Sequence, residues 1–290
     1  MANCKVITFV LFVLAFMSVA AGVDGSPLTF KFAAVNVPGS IQTYPGGVNN
    51  AGVMVGTYQD KSKAFHGYIL NGKKLITLDD PKGTTSCNNL PPNGALAVVG
   101  SYLNSSGTEV GFLYKGGKFT DIPGPEGATA SLAIGINDLG AIVGFYHDTN
   151  NATHGFILKG KTYTTLDVPG ASATAATGIN DKGKVVLYWA DSNGAYESSL
   201  YNGKTYKTIN VPGATNSFAS DINTAGDVTF QWVDSSGGSH GALLQSGKYY
   251  KFNYPKAKYT YAGGLNDKSL IVGGDEATSK GPVLGFRVTF

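Results

Sequence analysis

Between Leu132 and Gly170 the apolar residues come in short runs of five or six positions, and each run stops at a cluster of Gly, Asn, Asp or Pro. Leu132–Ile136 leads into Asn137-Asp-Leu-Gly140, and Ala141–Tyr146 leads into Asp148-Thr-Asn-Asn151. His154–Leu158 leads into Lys159-Gly-Lys161, and Tyr163–Val168 ends at Pro169-Gly170. Runs of this length bounded by turn residues predict four successive strands. Asn and Gly suit the tight turns because they accept a positive φ. Beyond the first two dozen residues no segment carries a helical apolar period, so no helix is predicted there.

The same pattern recurs along the chain. The glycine in the second run falls at Gly56, Gly100 and Gly144, its place is taken by Leu187 and Phe230, and it returns at Gly273; the steps are 44, 44, 43, 43 and 43. The third run repeats Gly67, Gly111, Gly155, Ser198, Gly241 and Gly285. The closing proline repeats at Pro38, Pro81, Pro123 or Pro125, Pro169, Pro212 and Pro255. The Asn-x-x-Gly turn begins at Asn49, Asn137, Asn180 and Asn223, and Asn266 repeats it with Ser269 in the glycine position. In the second repeat Asn88–Gly94 does not align. A period in the forties with four short strands is the signature of propeller blades. The sixth repeat stops at Phe290 after its third strand, whereas Phe30–Gly39 is a fourth strand with no repeat of its own. The expectation is therefore all-β: a six-bladed β-propeller over 26–290, four antiparallel strands per blade, with the N-terminal strand closing the last blade. Closure removes two free sheet edges that an open solenoid, the alternative, would expose.

Residues 1–21 read as an export signal: Lys5, then an apolar run Val6–Val19, then small residues from Ser18 to Gly22. The run is short for a span of ~20 residues, so no membrane span is expected after cleavage. The mature protein is expected outside the cytoplasm, extracellular or periplasmic, as a monomer. Cys4 leaves with the signal and Cys87 stays alone, so no internal disulfide is expected and the thiol reads as inert. Charged residues make up 14% and the net charge is +3. Lys73, Lys118, Lys161, Lys204 and Lys248 are scattered singly, and without a basic stripe nucleic acid is not an expected partner.

The third run carries a family likeness. His66-Gly-Tyr-Ile-Leu, His154-Gly-Phe-Ile-Leu and His240-Gly-Ala-Leu-Leu, with the preceding Gly-Ile-Asn-x-x-Gly-x-Ile-Val-Gly, resemble the extracellular HAF-repeat family. Gly stands where that family has Ala, and the His is replaced by Val110, Glu197 and Leu284 in the other repeats. The resemblance implies an exported repeat protein and no reaction.

Three candidate sets follow. The histidines sit on the third strand of alternate blades, each about 10 Å outside the inner strand, so they cannot share one ion and are expected to pack and hydrogen-bond between blades. Asp60, Asn104, Asp148, Asp191, Asp234 and Asp275 read as turn-starting residues, calcium being the competing reading. Two residues after the Val-Gly anchor stand Tyr58, Tyr102, Tyr146, Trp189, Trp232 and then Asp275. These five aromatics are the candidate ligand-binding residues, as platforms for sugar or peptide, against the simpler reading that they pack between blades. No nucleophile elbow, phosphate loop or zinc-protease motif occurs, so no catalytic, metal or cofactor residue is assigned. Asn104-Ser-Ser106 and Asn151-Ala-Thr153 are glycosylation sequons. The motifs favour non-catalytic binding of a glycan or an extracellular protein. A secreted carbohydrate-active or other hydrolytic enzyme with its site at the central channel, and a structural surface protein, remain the alternatives.

Overall fold

The computed structural model describes residues 28–87, 93–278 and 281–290, without the side chains of 84–87; the leader over 1–21 lies outside them, and of Cys87 only the backbone is described. Among the described residues there are strands and no helix. After β1 (Lys31–Val35) the strands fall into six units. The first unit is β2 (Gln42–Val48), β3 (Met54–Gln59), β4 (Phe65–Asn71) and β5 (Lys74–Leu78), and the second is β6 (Gly83–Cys87), β7 (Val98–Asn104), β8 (Glu109–Lys115) and β9 (Lys118–Ile122). The third is β10 (Ala130–Ile136), β11 (Ile142–His147), β12 (Thr153–Lys159) and β13 (Thr162–Leu166), and the fourth is β14 (Ala173–Ile179), β15 (Val185–Ala190), β16 (Tyr196–Tyr201) and β17 (Tyr206–Thr208). The fifth is β18 (Asn216–Ile222), β19 (Val228–Val233), β20 (Ser239–Gln245) and β21 (Lys248–Phe252); the sixth is β22 (Tyr259–Leu265), β23 (Leu270–Glu276) and β24 (Leu284–Thr289).

Within each unit every strand pairs antiparallel with the next, as the turns predict. β1 takes the free edge of β24, with Lys31 opposite Thr289 and Val35 opposite Gly285, so the surplus strand fills the place of the missing one. The anchor glycine has a local cause. The first strand of the third unit shifts register between Ala133 and Gly135, which carries the Leu132 carbonyl over Gly144. A Cβ at Gly144 would overlap that oxygen, and Gly56 and Gly273 meet the carbonyls of Tyr44 and Tyr261 in the same way.

The core lies between units. Ile136, Ile142 and Phe156 of the third unit pack on Ala97, Val99 and Ile122 of the second. Across the seam between the sixth unit and the first, Val35, Val37 and Val272 pack with Val48, Met54 and Tyr68. One hydroxyl in each of five units reinforces this packing. Thr43, Ser131, Thr174, Ser217 and Thr260 are each only 1% exposed. Thr174 Oγ1 accepts from the Val168 amide at 3.2 Å, and Thr43, Ser217 and Thr260 accept from Val37, Val211 and Tyr254 in the equivalent crossings. Each ties the end of one unit to the start of the next. Thr174→Val keeps the shape but leaves the Val168 amide without its partner, a loss of about 1–3 kcal/mol expected in urea unfolding. An unchanged midpoint would remove the hydroxyl from the account of how units are joined.

Candidate functional site

Antiparallel pairing places the first and third turns of every unit at one end of its sheet. The second turn and the crossing to the next unit lie at the other. These are the turn end and the crossing end, and both are built from repeated polar residues.

At the turn end, Asn137 Oδ1 accepts from the Ala141 amide at 2.8 Å, while its Nδ2 donates to the Asn180 carbonyl at 3.0 Å. Asn180 donates in turn to Asn223, Asn223 to Asn266, and Asn266 back to the carbonyl of Asn49 at 2.9 Å. The second repeat joins through Asn93, which donates to Asn137 at 3.3 Å and accepts from the Ala97 amide. Leu96 there adopts φ 57°, where Asn-x-x-Gly turns place glycine, as at Gly140 with φ 79°. Asn93 lies 44 residues from both Asn49 and Asn137, so the repeat aligns after all; the non-glycine turn hid it.

These asparagines line a cavity of about 290 Å³ to which all six units contribute. Asp221 stands in its wall at a position where the third and fourth units have Gly135 and Gly178. Its two oxygens accept from the Ile222 amide at 2.8 Å and the Leu265 amide at 3.0 Å. Burial pushes Asp221 up to about 7 in spite of those two donors. Both its identity and its burial were missed in the sequence, where it falls inside an ordinary strand run.

At the crossing end, the turn-starting residues serve their own loops. Asp60 Oδ1 accepts from the amides of Ser62 and Ala64, and Asn104, Asp148, Asp191 and Asp234 repeat the arrangement. Asp275 does not belong with them. It pairs with Leu284 and Thr260, which is the aromatic position of its unit, and Ala277 occupies the turn position. Asp275 is buried with one carboxylate oxygen unpaired, and burial raises its pKa.

The histidines bond within their own units, contrary to the expected link between blades. His66 Nδ1 lies 2.9 Å from Asp79, which follows the fourth strand, and Nε2 lies 3.5 Å from Asp60 in the second turn. His154 repeats this with Asp167 at 3.0 Å and Asp148 at 3.7 Å. His240 has Asn253 at 2.8 Å and Asp234 at 2.9 Å. Although burial opposes it, hydrogen bonds from Ser236, His240 and two amides hold Asp234 down at about 2.

The expected aromatic positions lie beside these histidines. Tyr58 and His66 stack with centroids 5.0 Å apart, Tyr146 and His154 at 5.2 Å, and Trp232 and His240 approach to 4.5 Å at 33°. Tyr58, Tyr146 and Trp189 are half-buried, while Tyr102 and Trp232 keep only 4% and 8% of their surface. Tyr58 and Tyr146 reach Thr77 and Thr165 with their hydroxyls, at 3.3 and 3.1 Å. Tyr102 donates to Asp121 at 3.1 Å, Trp189 to Ser199 at 3.0 Å and Trp232 to the Gly241 carbonyl at 3.2 Å. The Lys251 ammonium lies 4.1 Å from the Trp232 ring centroid. Tyr146 packs on the core between the second and third units, Trp189 on that between the third and fourth, and Trp232 belongs to that between the fourth and fifth. The aromatics thus lie along unit boundaries, with edges open in the first, third and fourth units.

The chain resembles several solved structures. AofleA from Arthrobotrys oligospora matches at 12% identity over 90% of this chain and 87% of that one, with a TM-score of 0.57. The SapL1 lectin, solved with α-methyl fucoside, matches at 8% identity over 84% and 92%, with a TM-score of 0.55. A catalytically inactive virginiamycin B lyase from Staphylococcus aureus, solved with quinupristin, matches at 11% identity over 90% and 100%, with a TM-score of 0.53. These likenesses are of fold. A lectin and a lyase share it, so the fold leaves the activity open. No protein-family model matches the sequence, and no curated protein does.

The other carboxylates with raised pKa do not gather into one acid–base site. Glu109, raised by burial, accepts from Ser101 in the second unit at 2.7 Å, and Glu276, also raised by burial, bonds Tyr261 at the sixth. Asp275 and Glu276 are neighbours on one strand and face opposite sides of it. Asp221 lies at the turn end, away from all three.

Proposed function

We propose that this chain is an exported, closed six-bladed β-propeller that binds glycans without transforming them, through the aromatic surfaces at the crossing end. The pairing of β1 with β24 and the return of the asparagine chain from Asn266 to Asn49 support closure. The repeat likeness to the HAF family supports export. The observation that carries the binding reading is repetition: an aromatic ring, a histidine and an amide or carboxylate oxygen meet in the same geometry in the first, third and fifth units. An enzyme needs one constellation that converges on a reacting bond. Repeated copies suit a ligand with several arms or repeats, and those of the first and third units keep their rings partly open. Tyr58 and Tyr146 anchor the two open copies and Trp189 offers an aromatic edge beside them, whereas Tyr102 and Trp232 are buried and serve the packing of their units. Lectin neighbours on the same fold agree with this reading.

The test is a broad glycan array probed with the mature protein beside a Tyr58→Ala/Tyr146→Ala variant. Specific binding is expected, with a loss of at least tenfold in the variant while its melting profile stays cooperative. Silence of the wild-type protein across the array would overturn the glycan reading.

A further inference from the structure

The lysines that are scattered singly in the sequence are gathered by the fold. Each third turn projects from the turn end, and the turns carry Lys73 and Lys74, Lys115 and Lys118, or Lys159 and Lys161 in the first three units. Lys204 and Lys248 continue the series, and Lys31 opens the strand that completes the sixth unit. Among the described residues, and leaving aside the buried Asp221, the turn end holds twelve lysines against four aspartates. The crossing end holds thirteen carboxylates against six lysines. A net charge of +3 therefore conceals two strongly charged ends of opposite sign.

The turn-end lysines are nearly all exposed. Among the described residues the one lysine ion pair, Lys82 with Asp121 at 2.8 Å, lies at the crossing end. The acids of the crossing end are largely committed already, to their own loop amides and to His66, His154 and His240. A second copy of the chain is thus a poor complement for the lysines. The centre of the turn end is different from its rim: Asp138, Asp181 and Asp267 surround the cavity mouth, where each accepts an amide from the neighbouring unit. A flat anionic bilayer would press on those carboxylates as well as on the lysines. A chain-like polyanion lying along the rim touches the lysines and avoids the acidic centre. The chain's one arginine, Arg287, lies within β24, so the rim offers point charges and no bidentate fork for bases or phosphates.

We propose that the lysine rim of the turn end binds a linear acidic polysaccharide, carrying uronate or sulfate groups, along the third turns of successive units. The inference rests on the reading of the chain as a glycan-binding module and adds a second surface to it. Binding is Coulombic and tolerant of sequence, so it weakens steeply with salt.

Biolayer interferometry on immobilised polygalacturonate, dextran sulfate and neutral dextran tests it. Three proteins are compared: wild type, Lys74→Gln/Lys118→Gln/Lys161→Gln/Lys248→Gln, and a control with the same charge change at the crossing end, Lys61→Gln/Lys63→Gln/Lys256→Gln/Lys258→Gln. Wild type is expected to bind one or both acidic polymers and not neutral dextran, at least tenfold more weakly in 0.5 M NaCl. The turn-end variant should lose at least tenfold and the control less than threefold; which polymer binds better assigns uronate or sulfate. Equal losses in both variants would show that net charge alone is responsible, and would overturn the proposal. Duplex DNA or phosphatidylglycerol vesicles binding more tightly than either polysaccharide would overturn it too. The Tyr58→Ala/Tyr146→Ala variant separates the two readings, since it should keep acidic-polymer binding even if the crossing end binds no glycan.

Discussion

A chain shortened to begin at Pro38 should lose its cooperative melt near ambient temperature. The shortened chain lacks β1, which completes the sixth unit on β24. Val35 and Val37, both buried, leave the core at the seam. Burial of such side chains stabilises by about 1.5–3 kcal/mol each. Phe32 also goes, with its ring contacts to Tyr254 and Phe286 at 5.4 and 5.7 Å. The edge of β24 is left with unpaired amides and carbonyls. Together these losses exceed about 5 kcal/mol, enough to unfold a domain whose whole stability is about 5–15 kcal/mol. Circular dichroism melts of the two chains, with and without a synthetic peptide of residues 28–40, give the comparison. The peptide should restore part of the transition. A shortened chain that melts like the full one would mean that the first strand does not hold the fold together.

The second large effect is a stability that falls as the pH rises. Asp221 has a pKa of about 7 in the folded protein against 3.8 when free. Between those values the folded state holds a proton that the unfolded chain has released, so folding takes up a proton. The contribution is therefore fully present below about pH 4, is lost as the pH rises through that window, and is gone above about pH 7. The shift corresponds to about 4 kcal/mol at most. Burial raises Glu109, Asp275 and Glu276 in the same direction, whereas the lowered Asp60, Asp148, Asp191 and Asp234 act at more acid pH. Urea unfolding at pH 5 and pH 8 should show the protein more stable at pH 5. Asp221→Asn should remove most of that difference, whatever it does to absolute stability. A wild-type protein equally stable at both values would contradict the buried, protonated carboxylate in the cavity wall.

The repeat could be read from the sequence because backbone geometry dictates its anchors. Gly56, Gly144 and Gly273 lie where a carbonyl leaves no room for a Cβ, and Pro169 and its equivalents mark the end of each fourth strand. The lone first strand and the short last repeat pointed to the pairing of β1 with β24 for the same reason. What stayed hidden depends on side chains that break the local rule. Leu96 takes a positive φ usually left to glycine, so the turn at Asn93 looked irregular. Asp275 fits both the turn series and the aromatic series in the sequence, and only its register opposite Thr260 and Leu284 assigns it to the aromatic one. Asp221 replaces a bulge glycine, and only the packing of three units around it makes a carboxylate there unusual. The buried hydroxyls of Thr43 and its equivalents recur faithfully, yet Ser and Thr in a strand carry no signal of burial. The charged ends arise from strand direction, which sequence spacing alone does not display.

The most direct measurement is the stoichiometry of glycan binding, by titration calorimetry and native mass spectrometry with the strongest glycan from the array. The open aromatic–histidine surfaces of the first and third units predict two equivalents per chain, falling to none when Tyr58 and Tyr146 are both replaced by alanine. A single equivalent, unaffected by those replacements and lost on filling the cavity mouth with Ala51→Trp, would contradict the account and place the site at the turn-end cavity.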